Sequence, residues 1–196
     1  MSLITEELDK LIAVAAALRD DAAVQRTLEA IATDCATAIR GGGKIMFCGN
    51  GGSAGDSQHL AAELVGKLIF PRPAMPGIAL TTDTSALTAI GNDFGYDYVF
   101  SRQIEGLGQT GDVLVGLSTS GRSKNVIEAF RAARAKGIVT VGMTGGNGGD
   151  FPALCDHLIV VPSTQTAKIQ EGHIALGHIF CALVENAIHG DATVAG

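Results

Sequence analysis

Residues 48–63 read CGNGGSAGDSQHLAAE. They follow KIMF at 44–47, so an apolar run closing on Cys48 passes through a glycine loop into a helical segment near 53–67. A strand, a glycine loop and a helix in that order make the opening of an α/β unit. Glycine loops that start helices present backbone N–H groups to phosphates. His59 and Glu63, four residues apart on the same helix, leave from one face and form a pair of metal-binding or acid–base type.

The rest of the chain repeats this alternation. Short apolar runs rich in β-branched residues occur at 44–48, 77–81, 112–117, 137–143 and 157–161, with helical segments near 84–91, 97–107 and 123–136 between them. A long closing helix spans about 166–189. Before the first strand, apolar residues at helical spacing (Leu8, Leu11, Ile12, Ala15, Leu18, then Val24, Leu28, Ile31, Cys35, Ile39) mark two helices. They break near Asp20-Asp21, where a carboxylate caps the second, and Gly41–Gly43 ends the pair. Strand–helix alternation implies right-handed βαβ units. The expected fold is a three-layer α/β sandwich with a five-stranded parallel sheet, its strands buried on both faces. One domain over 1–196 is expected, with a helical pair at 1–41 and an α/β core at 42–196.

Composition narrows the function. Of 196 residues, 46% are hydrophobic and 26 are glycines, clustered in short runs between apolar segments as loops that approach a ligand require. The net charge of −6, with no basic run or stripe, argues against a nucleic-acid or membrane surface. It does not exclude an anionic substrate, which a local pocket of N–H groups can hold. Cys35, Cys48, Cys155 and Cys181 stand singly in apolar stretches and read as free thiols in a reducing cytoplasm. The acidic, amphipathic N-terminus is unlike an export signal, and no run has the length of a membrane span.

Three loops face the expected ligand side. In GNGGSAG (49–55), Gly49, Gly51 and Ala54 also satisfy the dinucleotide fingerprint, with Asp83 available as an acidic partner. A plain tight turn explains Gly51 and Gly52 but not Ser53 at the helix start. In STSGRSKN (118–125), Ser118, Thr119 and Ser120 precede a glycine and Ser123 caps a helix; hydroxyls at a helix N-terminus make an uncharged cradle for a phosphate monoester. Arg122 and Lys124 add positive potential or are solvated. In the third loop, Asn92 and Asp93 are turn formers between two helices, while Tyr96, Tyr98 and Phe100 read as packing residues. His157, His173 and His189 read as packed or surface histidines.

These motifs, with KIQEGH (168–173) on the closing helix, resemble the sugar isomerase (SIS) domain family. GNGGSAGDSQHLAAELVGK, RPAMPGIALTTDTSALTAIGNDFGYDYVFSRQ, GDVLVGLSTSGRSKNV and KIQEGHIALGHIFCALVE resemble its phosphoheptose isomerase branch along nearly the whole chain. The resemblance implies aldose–ketose isomerisation of D-sedoheptulose 7-phosphate to D-glycero-D-manno-heptose 7-phosphate through an enediol, the first step towards activated heptose for lipopolysaccharide core and related glycans. It implies a zinc ion on His59, Glu63, Gln170 and His178, with Glu63 the carbon base and His178 its proton-relaying partner. It places Asn50, Gly51, Gly52 and Ser53 on the substrate's path, Ser118, Thr119, Ser120 and Ser123 on the phosphate, and Asn92 and Asp93 on sugar hydroxyls. It also implies a homotetramer, for which the two apolar N-terminal helices supply interface material. Some family members carry an acidic residue three places before the glutamine; this chain has Ala167. The competing expectation is a non-catalytic homologue of the same fold that binds the bacterial replication initiator and lacks the metal and acid–base set.

Overall fold

The computed structural model describes residues 2–190; Met1 and residues 191–196, the ends of the expected 1–196 domain, lie outside the described residues. Helices α1 (Leu3–Asp20) and α2 (Ala22–Arg40) lead the chain. The Asp21 carboxylate accepts from the N–H groups of Ala23 and Val24, so the expected cap is what separates them. There follow β1 (Ile45–Gly49), α3 (Gly52–Val65), β2 (Gly77–Ala79), α4 (Thr84–Asp93), α5 (Ser101–Leu107), β3 (Val113–Leu117), α6 (Lys124–Ala135), β4 (Val139–Gly145), β5 (His157–Val161) and α7 (Thr166–His189).

The strands form one parallel sheet in the order β2-β1-β3-β4-β5, with Phe47 beside Ala79 and Val115, Val115 beside Val141, and Met143 beside Ile159. Successive side chains leave opposite faces of a strand, and both faces of the central strands β1, β3 and β4 are covered; the edge strand β2 departs from the expectation, its Ile78 being exposed. Phe47, Val115, Val141 and Ile159 meet Leu28 and Ile31 of α2, Leu60 of α3 and Phe180 of α7. Met46, Cys48 and Leu114 turn the other way, onto Ile104 of α5, Val126 and Phe130 of α6, and Phe151. That double burial explains the unbroken apolar runs in the sequence. Each fully buried side chain of this size contributes about 1.5–3 kcal/mol.

Helices α3 and α7 lie on the same face and run in the same direction. Near their start a Cβ on Gly52 would stand 2.5 Å from Gln170 Nε2; further along, a Cβ on Gly177 would stand 2.6 Å from Leu60 Cδ2. The missing side chain at Gly177 lets the two backbones approach that closely, and Cys181 Sγ donates to the Leu60 carbonyl across the same seam.

Three further sequence expectations shift. The helix expected at 97–107 is a 3₁₀ turn at Tyr96–Tyr98 followed by α5, with Val99 and Phe100 between them buried and still in the right-handed helical region of φ/ψ. Phe100 packs as expected, whereas Tyr96 and Tyr98 remain exposed. Asn92 and Asp93 form the last turn of α4 instead of a connecting turn.

His173 on α7 is fully buried; its Nε2–H donates to the Thr144 carbonyl at 3.1 Å, and its buried Nδ1 has no partner. Burial lowers its pKa from 6.5 to about 4. The unfolded chain therefore takes up this proton first. The stability supplied by the neutral ring is complete above about pH 6.5 and is lost as pH falls from there through 4, by an amount on the order of 3 kcal/mol. Urea unfolding at pH 7 and pH 4.5 should show a steeper loss for the native chain than for His173→Gln, which keeps a donor and cannot titrate. Parallel losses would remove His173 as the cause.

Candidate active site

Strand β1 has β2 on one side and β3 on the other, so the chain leaves β1 in one direction for β2 and returns on the opposite side for β3. The crevice beyond the carboxyl ends of β1 and β3 is the switch point where ligands bind in such sheets. Both glycine–hydroxyl loops open there, with Gly49 beside Leu117 at the strand ends. Asn50, Gly51, Gly52, Ser53, Leu117, Ser118, Thr119, Ser123, Thr166 and Gln170 line a cavity of about 280 Å³. A larger cavity of about 870 Å³ borders the far side of the same loop, lined in part by Thr119, Ser120, Arg122, Lys10 and Lys168.

The hydroxyl loop is held from below. Ser118 N donates to the Met143 carbonyl, and Asp150 N donates to that of Gly121. Gly121 has φ +64, and a Cβ there would lie 2.1 Å from the Gly148 carbonyl oxygen, so only glycine fits. Ser118 Oγ stands 2.8 Å from Ser123 Oγ and 3.5 Å from Ser120 Oγ, and Ser120 Oγ accepts from Arg122 N. Ser123 occupies the N-cap position of α6, yet its hydroxyl turns to Ser118 instead of capping the helix. The helix end is thus available to an anion. Lys124 is exposed, 4.0 Å from Asp97, and belongs to the solvated surface.

Along α3, about 10 Å beyond Gly52, lies a second group. His59 Nε2 is 3.1 Å from Glu63 Oε1 and 2.8 Å from His178 Nε2. The ligand atoms of all three residues lie within 4.8 Å of one another. Two imidazole nitrogens and a carboxylate oxygen converging on one point suit a borderline divalent cation. A fourth, acidic group stands nearby, outside this trio. Asp56, one turn earlier on α3, has a buried Oδ2 without a hydrogen-bond partner; burial raises its pKa, while the neighbouring His59 and His178 act to lower it. Gln170 shares α7 with His178 but sits two turns nearer the loops, its amide against Gly52.

The remaining expected residues fall as follows. Ser53 is buried at the second position of α3. Asn92 and Asp93 are exposed and bond to each other, Asn92 Nδ2 donating to Asp93 Oδ1 at 2.7 Å, and they do not line the 280 Å³ cavity. Asn50 lines it, but its amide is already engaged: Asn50 Nδ2 donates to Asn125 Oδ1 and Asn125 Nδ2 to Asn50 Oδ1, both at 2.8 Å, and Tyr96 Oη donates to Asn50 Oδ1 at 3.1 Å. This reciprocal amide pair ties the loop after β1 to the start of α6. Asn125, 3% exposed, had no sequence signal beyond ending the STSGRSKN stretch. Asp56 had one, its place three residues before His59 and seven before Glu63 on one helical face.

Comparison with known proteins identifies the family and the fold. The family model described as SIS domain matches residues 9–145. A phosphoheptose isomerase of Burkholderia pseudomallei (strain 1710b) is 52% identical over 190 residues, 97% of this chain and 96% of the relative. The structure of phosphoheptose isomerase GmhA from Neisseria gonorrhoeae superposes with a TM-score of 0.86 at 44% identity, covering 93% of this chain and 97% of that one. A phosphoheptose isomerase from Francisella tularensis superposes with a TM-score of 0.88 at 31% identity, covering 93% and 96%.

Replacing Asn125 by Asp sets a carboxylate against Asn50 Oδ1 and removes the donor that held it. A buried hydrogen bond lost this way should raise the dissociation constant for a sugar phosphate about tenfold, with a smaller change in Tyr96→Phe. Calorimetric titration measures both, and unchanged binding in Asn125→Asp would remove the amide pair from the cradle.

Proposed function

The chain belongs to the SIS domain family, and from that membership and its site we propose that it is an aldose–ketose isomerase interconverting D-sedoheptulose 7-phosphate and D-glycero-D-manno-heptose 7-phosphate. The observation that carries the reading is the pairing of a hydroxyl-lined phosphate cradle with the His59–Glu63–His178 cluster on one α3–α7 seam. The initiator-binding regulator finds no support: the acid–base set it would lack is assembled here, and the relatives just described are named isomerases.

In this reading Ser118, Thr119, Ser120 and Ser123, with the N–H groups of Gly51, Gly52 and Ser53, hold the phosphate and anchor the sugar along α3. Isomerisation moves a proton between C1 and C2 through an enediol. Glu63 takes the carbon-bound proton, and His178 passes protons to and from the sugar oxygens or assists ring opening. One Glu63 oxygen faces His59, and a carboxylate has a second with which to act on carbon. His59, Glu63 and His178 would hold one zinc ion, with Gln170 as the fourth ligand once its amide turns from Gly52 towards His178. When bound, the ion supplies Lewis-acid polarisation of the carbonyl and adjacent hydroxyl. Asn92 and Asp93 would reach sugar hydroxyls at the outer rim.

The assembly is read as a homotetramer. Ile4, Leu8 and Ile12 lie at successive four-residue steps on α1 and are 74%, 54% and 64% exposed, an apolar stripe that a second copy would cover. Light scattering should give the mass of four chains, and Leu8→Asp with Ile12→Asp should lower it; a monomeric native chain would contradict this. The cytoplasm is the proposed compartment, in keeping with four free cysteines, three of them buried. Among the described residues no helix is long and apolar enough to cross a membrane.

The deciding experiment incubates chelator-treated protein with sedoheptulose 7-phosphate in D₂O, with and without added zinc, and follows the aldose by NMR. Zinc-dependent turnover with deuterium at C2 is expected, and Glu63→Gln should lower kcat at least about 100-fold with the fold intact. Turnover of Glu63→Gln within a few-fold of the native rate would remove Glu63 as the base. An inactive, folded native chain would return the regulator to consideration.

A further inference from the structure

Below the cation-binding cluster, α3 ends on a buried ion pair. Arg72, in the segment between α3 and β2, and Glu185 of α7 have side chains 2% and 0% exposed, with Arg72 Nε donating to Glu185 Oε1 at 2.9 Å. The carboxylate also accepts from the N–H groups of Leu68 at 3.2 Å and Ile69 at 2.8 Å. The guanidinium donates to the carbonyls of Glu63 at 2.7 Å, Leu64 at 2.8 Å and Gly66 at 2.9 Å.

This pattern replaces a turn of helix. Were α3 to continue, the Leu64 carbonyl would accept from Leu68 N; instead Leu68 N turns to Glu185 and the carbonyl accepts from Arg72 and Met75 N. The cation stands at the helix C-terminus, where the backbone dipoles favour it. It bonds the main chain of Glu63 itself, a member of the cluster.

We propose that Arg72 and Glu185 are positioning residues for the cluster, clamping the last turn of α3 to α7 in the register that sets His59 and Glu63 against His178. On α7, Glu185 lies seven residues beyond His178, nearly two full turns, so both leave from one face. A slide or rotation of α3 that parted His59 from His178 would also break the ion pair. A buried ion pair is weak support for stability alone, since apolar residues of similar volume often serve as well. Here its directional bonds to the main chain at the end of α3 add a register constraint to the packing of Leu60 against Gly177.

The inference rests on the metal reading above, and its test separates the two. Zinc affinity is measured by competition with a chromophoric chelator, and the cobalt(II) absorption spectrum reports the geometry of the loaded site. Arg72→Lys keeps the charge but loses the planar fork; Glu185→Gln keeps the shape but loses the charge. Each should weaken zinc binding at least about tenfold, the scale seen when groups supporting metal ligands are removed, and should alter the cobalt spectrum. Ile104→Ala, which opens the core on the opposite face of the sheet, should lower the thermal midpoint and leave zinc affinity unchanged. If Arg72→Lys does not fold, Glu185→Gln decides. Affinities within twofold of native in the folded variants, despite lowered midpoints, would assign the pair to stability alone and overturn the inference. A native chain that binds neither ion would overturn the metal reading and this inference with it.

Discussion

The close parallel approach of α3 and α7 is the contact on which the site depends. It exists because Gly177 has no side chain where Leu60 packs, and because Gly52 leaves room for the Gln170 amide. Close packing is unforgiving at this scale: a methyl group added at either glycine meets atoms at 2.5–2.6 Å, so the helices separate or a side chain moves. Three features lie along the seam in order: the loop cavity with Gln170, the His59–Glu63–His178 cluster, and the Arg72–Glu185 pair. In the proposed reading, the histidine and glutamate further along the helix serve the other end of a substrate held by its phosphate at the glycine loop.

The sheet supplies the seam's fixed reference. Strands buried on both faces cannot shift without exposing one of two cores, so the carboxyl ends of β1 and β3 are rigid points from which the two loops start. The Asn50–Asn125 amide pair then joins the loops to each other across the switch point. Sites carried on rigid elements hold their geometry more precisely than sites on long loops, which suits a cradle of short turns on strand ends.

What was legible in the sequence follows physical range. The central strands β1, β3 and β4 appeared as continuous apolar runs because both of their faces are covered, and Asp21 announced a helix start because capping is local. His59 and Glu63 were legible as a pair because their four-residue spacing is itself the geometry. The break between Tyr98 and Ser101 was not, since Val99 and Phe100 fit a helical period and keep helical backbone angles even where the 3₁₀ turn gives way to α5. Ser123 held the right position for a cap and gave its hydroxyl to Ser118, a partner five residues away that no capping rule anticipates. Asn125, Arg72 and Glu185 act through partners 75 and 113 residues distant, and such pairs leave no periodic trace.

Charge placement around the cradle bears on how an acidic chain holds an anion. The net charge is −6, and two of the cations near the loop are already paired: Lys124 is solvated beside Asp97, and the buried Lys168 is shared between Glu7 and Glu171, while Arg122 and Lys10 line the larger cavity beside the loop. An exposed pair such as Lys124–Asp97 is largely screened at physiological salt, whereas serine hydroxyls and an uncapped helix end act over hydrogen-bond distance. In the proposed reading, these neutral donors fix the position of the phosphate over hydrogen-bond distance. That reading leaves the charged groups of the seam to the sugar end, where a proton would be taken from carbon and the developing charge on oxygen held. On it, the division between a hydroxyl anchor and a charged reaction centre follows from which residues face the two halves of one helix pair.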